Sequence, residues 1–99
     1  MIFEIARLTI DPAEAERFEA AVASCEALFR EAKGCEGMSL EREMEDPSHY
    51  LLRVVWQTLE DHTEGFRGSE AFQSWRAAVG PFFRQPPHVI HSRSVATFF

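Results

Sequence analysis

The sequence predicts an α+β fold of ferredoxin-like order, β-α-β-β-α-β, in which a four-stranded antiparallel sheet carries both helical segments on one face. Three observations predict it. Residues 2–10, 37–45, 50–56 and 88–98 read as strands, by alternation or by short apolar runs bounded by turn residues. Capped amphipathic segments fill the gaps after the first and third of these strands. The 99 residues hold neither a linker, a low-complexity tract nor a tandem motif, so residues 1–99 form one domain around a single modest core.

In the first strand, Ile2, Phe3, Ile5, Leu8, Thr9 and Ile10 surround Glu4 and Arg7, which puts apolar groups on both faces. Asp11-Pro12-Ala13-Glu14 starts a helix: Asp11 can cap, Pro12 suits the first helical position and Glu14 completes a capping box. Ala15, Phe18, Val22, Cys25, Phe29 and Ala32 then recur at helical spacing, joined by Leu28, which predicts one amphipathic helix of about twenty residues. Gly34 ends it. Met38, Leu40 and Met44 alternate with Ser39, Glu41 and Glu43 in the second strand, and Asp46-Pro47-Ser48 makes the turn. In the third, Tyr50, Leu52, Val54 and Trp56 share one face, and Leu51, Arg53 and Val55 the other. Thr58, with Asp61 three residues on, caps a helical segment bearing His62. Ser69 and Glu70 open another that Gly80-Pro81 stops, and Pro86-Pro87 enforces an extended approach to a last strand, His88 to Phe98.

Both helical segments can cover only one face of the sheet, yet strands one, three and four are apolar on both. A second copy packed sheet against sheet is the simplest cover, so a two-fold homodimer is expected. The net charge of −6 disfavours nucleic acid and anionic membrane surfaces, which need a basic footprint. The start, MIFEIARLTID, lacks a basic leader and alternates like a strand, so it does not read as a signal peptide. Cys25 falls on the buried helical stripe and Cys35 in the turn after it, which is no disulfide framework; a reduced, cytoplasmic protein is expected.

Chemistry-bearing residues concentrate between Val55 and Trp75, where four bulky aromatics and one imidazole fall close together, as on the floor of a ligand pocket. His62 is a candidate general base near neutral pH; otherwise it is a buried imidazole bonded to a backbone carbonyl. Trp56 and Trp75 could sandwich a flat substrate with Phe66 and Phe72 as walls, or be ordinary core. His91 is a candidate polar group of the pocket, or a solvated strand residue. It cannot share a metal with His88, because residues three apart on a strand point to opposite faces, and no metal site is expected. Arg7 and Arg53 interrupt apolar strands and need partners, for which Glu4, Glu41 and Glu43 are available; Arg53 could instead hold an anionic substrate oxygen. Arg67 and Arg76 read as solvated, and Cys25 as packing.

The element order, the Trp-x5-His pair Trp56 and His62, the Phe-x2-Ser-x2-Phe-x2-Trp run from Phe66 to Trp75, and the closing PPHVIH resemble the antibiotic biosynthesis monooxygenase family of dimeric α/β barrels. The resemblance spans essentially the whole chain. It implies a pocket within each subunit, between sheet and helices, and a choice of activities. These include cofactor-free oxygenases of anthrones and hydroquinones, quinol oxygenases, haem-degrading oxygenases, a sugar isomerase, and many members without known activity. The haem branch is disfavoured residue by residue. Its axial His falls at Arg76, its first-strand Asn at Ala6 or Arg7, and its Trp before the Ser at Phe66. Arg does not deprotonate to ligate iron. The resemblance therefore implies a monooxygenase without cofactor, acting on a small aromatic phenol or hydroquinone. His62 would be its catalytic group, and Trp56, Phe66, Trp75, Arg53 and His91 would bind substrate. An isomerase of a small hydroxy-ketone and a non-catalytic binding protein are the alternatives. Cationic groups facing the cavity would favour an acidic ligand, and an aromatic lining the oxygenase.

Overall fold

A computed structural model describes residues 1–99. Strands β1 (Ile2–Thr9), β2 (Cys35–Arg42), β3 (His49–Trp56) and β4 (His88–Ser92) form one antiparallel sheet in the order β2-β3-β1-β4. Helices α1 (Ala15–Ser24) and α2 (Glu26–Arg30) connect β1 to β2. A π-helical turn (Asp61–Phe66) and α3 (Glu70–Val79) connect β3 to β4. The ferredoxin-like order and the four antiparallel strands are those the sequence predicts.

Strand alternation sorts the sheet into two unlike faces. Glu4, Ala6 and Leu8 of β1 and Tyr50, Leu52, Val54 and Trp56 of β3 are buried beneath the helices. Phe18 of α1, Phe29 of α2 and Val79 of α3 press onto them, with Phe18 centred 4.9 Å from Tyr50 and Phe29 4.9 Å from Trp75. The other face shows partly exposed Phe3, Ile5, Leu51 and Val55 and exposed Ile90. Its charges pair within the face: Arg7 reaches Glu43 at 3.3 Å, and Arg53 reaches Glu41 at 2.6 Å.

Several boundaries depart from the sequence reading. The single long helix is divided at Cys25, whose N–H bonds the Val22 carbonyl at 3.0 Å. The buried stripe still runs through Phe18, Val22, Cys25 and Phe29. Pro12–Glu14 is a 3-10 turn capped by the Asp11 carboxylate, which accepts from the Ala13 N–H at 3.0 Å. The segment after Thr58 is capped as expected, with the Asp61 N–H donating to the Thr58 hydroxyl at 3.1 Å, but it winds as a π-helix. β4 stops at Ser92, the partner of Phe3, rather than at Phe98. Val95, Phe98 and Phe99 beyond it are exposed.

Gly34 closes the α2–β2 connection at φ 81°, in the left-handed region, and a Cβ there would overlap the Asp61 carboxylate at the start of the π-turn. Gly34→Ala is therefore expected to cost about 1–3 kcal/mol from backbone strain, besides displacing Asp61. Urea unfolding checks this, and no loss of stability would contradict the role of the turn.

Candidate active site

The strand register builds the site. Glu4 lies in the middle of β1 on the helix-covered face, directly opposite His91 of β4. Trp56 pairs with Ile2 and so sits diagonally beside Glu4 on the same face of β3. The π-turn then lowers His62 onto this trio; wider than an α-turn, it aims both His62 and Phe66 inward. Such turns are frequent at functional sites.

The polar atoms form one chain. The Trp56 Nε1–H donates to Glu4 Oε1 at 3.0 Å, and His62 Nε2 lies 3.2 Å from the same oxygen. On its other side, His62 Nδ1 is 2.8 Å from His91 Nε2. The His62 ring stacks on the Trp56 indole with centroids 5.3 Å apart and planes 16° apart. Glu4 is 6% exposed and His62 2%.

Burial sets the protonation of this chain. It pushes the Glu4 carboxyl above its usual range, while the Trp56 hydrogen bond and the nearby Arg67 cation pull back toward the anion. It pushes His62 down to about 4, with Arg67 and His91 acting in the same direction. His91 is lowered too, by burial and then by Arg67. His62 is thus a neutral imidazole at neutral pH, and its 3.2 Å approach to Glu4 is the contact of a neutral ring rather than an ion pair. A depressed His pKa means the unfolded chain takes up the proton first. The His62 contribution to stability is therefore complete above about pH 6.5 and is lost as pH falls toward about 4, an expected loss of about 3 kcal/mol. The raised Glu4 acts oppositely, its cost easing as it protonates on acidification. Comparing unfolding of wild type and His62→Gln at pH 7 and pH 4 isolates the His62 share; equal pH slopes would refute it.

An open cleft of about 820 Å³ leads to this chain, with Glu4 and His62 in its lining. Arg67, Phe72, Arg76 and Phe83 form other parts of its wall. Neither arginine is paired with a carboxylate, and the Arg76 guanidinium lies 5.8 Å from the centre of the Phe72 ring. No three His, Cys, Asp or Glu side chains converge as metal ligands would.

Of the residues singled out from the sequence, the structure brings His62, Trp56 and His91 together. Phe66 stands one layer behind, 5.5 Å from Trp56 and 4.7 Å from Phe29, and Trp75 meets Phe29 edge-on in the core. Arg53 lies on the opposite face of the sheet with Glu41, away from this cleft. The residue that sequence reasoning missed is Glu4, considered there only as a partner for Arg7 or Arg53. Its parity was the available signal: an acid two residues before Ala6 and four before Leu8 belongs to the buried face.

Comparison with known proteins adds the family. The model of the antibiotic biosynthesis monooxygenases matches residues 1–78. The chain belongs to this family. The matched segment contains Glu4, Trp56 and His62 and ends before β4 and His91. YczJ of Bacillus subtilis (strain 168), an uncharacterized protein, is 41% identical over 95 residues, covering 96% of this chain and 100% of YczJ. A Bordetella bronchiseptica protein, provisionally named an antibiotic biosynthesis monooxygenase, superposes with a TM-score of 0.93 at 43% identity, over 96% of this chain and 97% of its own. SnoaB from Streptomyces nogalater, a cofactor-independent oxygenase, superposes with a TM-score of 0.80 over 98% of this chain and 95% of its own. At 20% identity, SnoaB shares the fold alone.

Proposed function

We propose that this family member is a cofactor-independent monooxygenase of a small or polycyclic aromatic phenol or hydroquinone, working as a homodimer. The observation that carries the reading is a buried Glu4–His62 pair, 3.2 Å apart and with His91 hydrogen-bonded to His62, opening on a cleft large enough for a planar molecule. The substrate supplies the electrons. A base removes a phenolic or benzylic proton, and the resulting anion reduces O2; for an anthrone, the CH2 carbon and O2 become a carbonyl and water. The protein binds the ring system, excludes water and accepts the proton. Arg67 and Arg76 place positive charge where the substrate anion develops. Oxygen uptake by chelator-treated protein over a panel of anthrones and hydroquinones tests the proposal. Uptake at one or more substrates is expected; silence across the panel would contradict it.

A second reading is an oxygen-independent proton-transfer enzyme acting on a small acidic hydroxy-ketone. The two unpaired arginines at the cleft favour it, since they suit an anionic substituent. Turnover under nitrogen separates the two readings.

The homodimer rests on the sheet face carrying Phe3, Ile5, Leu51, Val55 and Ile90. Sheet-to-sheet pairing is expected to bury at least about 1,200 Å² in total, the range of specific interfaces. Sedimentation should give twice the 11.3 kDa chain mass at micromolar concentration. A stable monomer there would contradict the pairing.

A further inference from the structure

Resting on the reading of the cleft as an aromatic-substrate site, we propose that Arg76 reads a carboxylate on the substrate. The preferred ligand is then a phenol or hydroquinone carrying one acidic side chain, its ring against the Glu4–His62 pair and its carboxylate on the Arg76 guanidinium. The chain has a net charge of −6, and acids are plentiful enough to occupy its arginines. Arg7, Arg17, Arg30, Arg53 and Arg84 each hold a carboxylate. The two arginines of the cleft, Arg67 and Arg76, hold none, and they line the same wall system as Glu4 and His62.

The two arginines stand at different distances from the chemistry. The Arg67 N–H bonds the His62 carbonyl at 3.0 Å, the five-residue closure of the π-turn, so the winding that buries His62 also sets Arg67 beside it. Its charge acts on Glu4, His62 and His91 alike. Arg76 is among the charges acting on none of them. It sits on α3, one turn after Phe72, with its guanidinium 5.8 Å from the centre of that ring. Gln73 lines the cleft one turn before it, a neutral amide on the same side of α3. Besides the field that both arginines lend to the developing anion, Arg76 is therefore placed to grip a group that takes no part in the reaction.

Charge and shape both select a carboxylate. Glu4 is the one acid in the cleft lining and His62 is neutral, so Glu4 offsets at most one of the two cations. The uncompensated positive charge matches a monoanion. A guanidinium presents its donors as a planar fork, which fits the two oxygens of a carboxylate. The Phe72 ring braces the Arg76 fork and supplies apolar wall for the adjoining ring of the ligand. A neutral substituent at the same place would displace water from the guanidinium without replacing its hydrogen bonds, which penalises substrates lacking the acid.

Equilibrium binding of a dihydroxyanthraquinone carboxylate, and of its counterpart with methyl in place of the carboxylate, tests the proposal. Both probes are already quinones, so they report the grip of the cleft apart from any oxygen chemistry. Wild type is expected to bind the carboxylate roughly tenfold more tightly than the methyl compound. Arg76→Gln is expected to lose most of that preference while keeping its affinity for the methyl compound. Arg30→Gln, at an arginine paired with Glu26 outside this cleft, is expected to keep the preference. The proposal is overturned if wild type binds the two probes alike, if Arg76→Gln keeps the preference or weakens both probes equally, or if Arg30→Gln loses it too. The expected preference without oxygen uptake over the substrate panel would sink only the oxygenase reading. Oxygen uptake without any preference would sink only the carboxylate site.

Discussion

Trp56→Ala is expected to cost about 3–5 kcal/mol of folding stability, the range for truncating a fully buried aromatic. Trp56 is 0% exposed, stacks on His62 and packs against Phe66, so its removal opens a cavity where β3, the π-turn and α3 meet. It also removes the indole N–H that donates to Glu4 Oε1, leaving a buried carboxylate less satisfied. Trp56→Phe keeps most of the packing and loses the donor, for an expected cost of about 1–3 kcal/mol. Urea denaturation of the three proteins measures both steps. A loss below about 1 kcal/mol for the alanine variant would mean that the indole does not hold this corner together.

Glu4→Gln is expected to lower turnover roughly 100- to 10,000-fold, the usual worth of a positioned acid or base. Folding should survive, because glutamine is isosteric and removes a charge that burial penalises. The loss should fall on kcat rather than KM, since Glu4 serves the proton and not the grip on the substrate. His62→Gln is expected to fall in the same range, and the double variant no lower than the worse single one, because the two side chains lie 3.2 Å apart in the wall of one cleft and serve one proton transfer. Additive losses would place the two residues on separate tasks.

The fold was legible because its signals are local and repeated. The stripe of Phe18, Val22, Cys25 and Phe29, the alternation through Tyr50 to Trp56, and the caps at Asp11, Thr58 and Ser69 each predict an element that forms. What the sequence could not disclose depends on register and winding. Glu4 meets His91 only because β4 pairs with β1 in one register, across more than eighty residues of chain. Arg53 differs: its alternation with Trp56 along β3 already put it on the face away from the cleft. The π-winding at His62 has no composition signature, since Thr58 and Asp61 cap an α-helix equally well. Trp75 and Phe66 illustrate the converse: aromatics at helical spacing sit mainly against Phe29 as core.

The most direct measurement mixes the protein with an anthrone under strict exclusion of oxygen and follows the absorbance of the substrate anion. With a working proton acceptor at the cleft, the bound anion should accumulate at a pH where free anthrone stays neutral, then decay to quinone when O2 is admitted. Glu4→Gln and His62→Gln should fail to accumulate it. An anion that never forms without oxygen, or that forms equally well in both variants, would contradict proton transfer to the Glu4–His62 pair in the cleft wall.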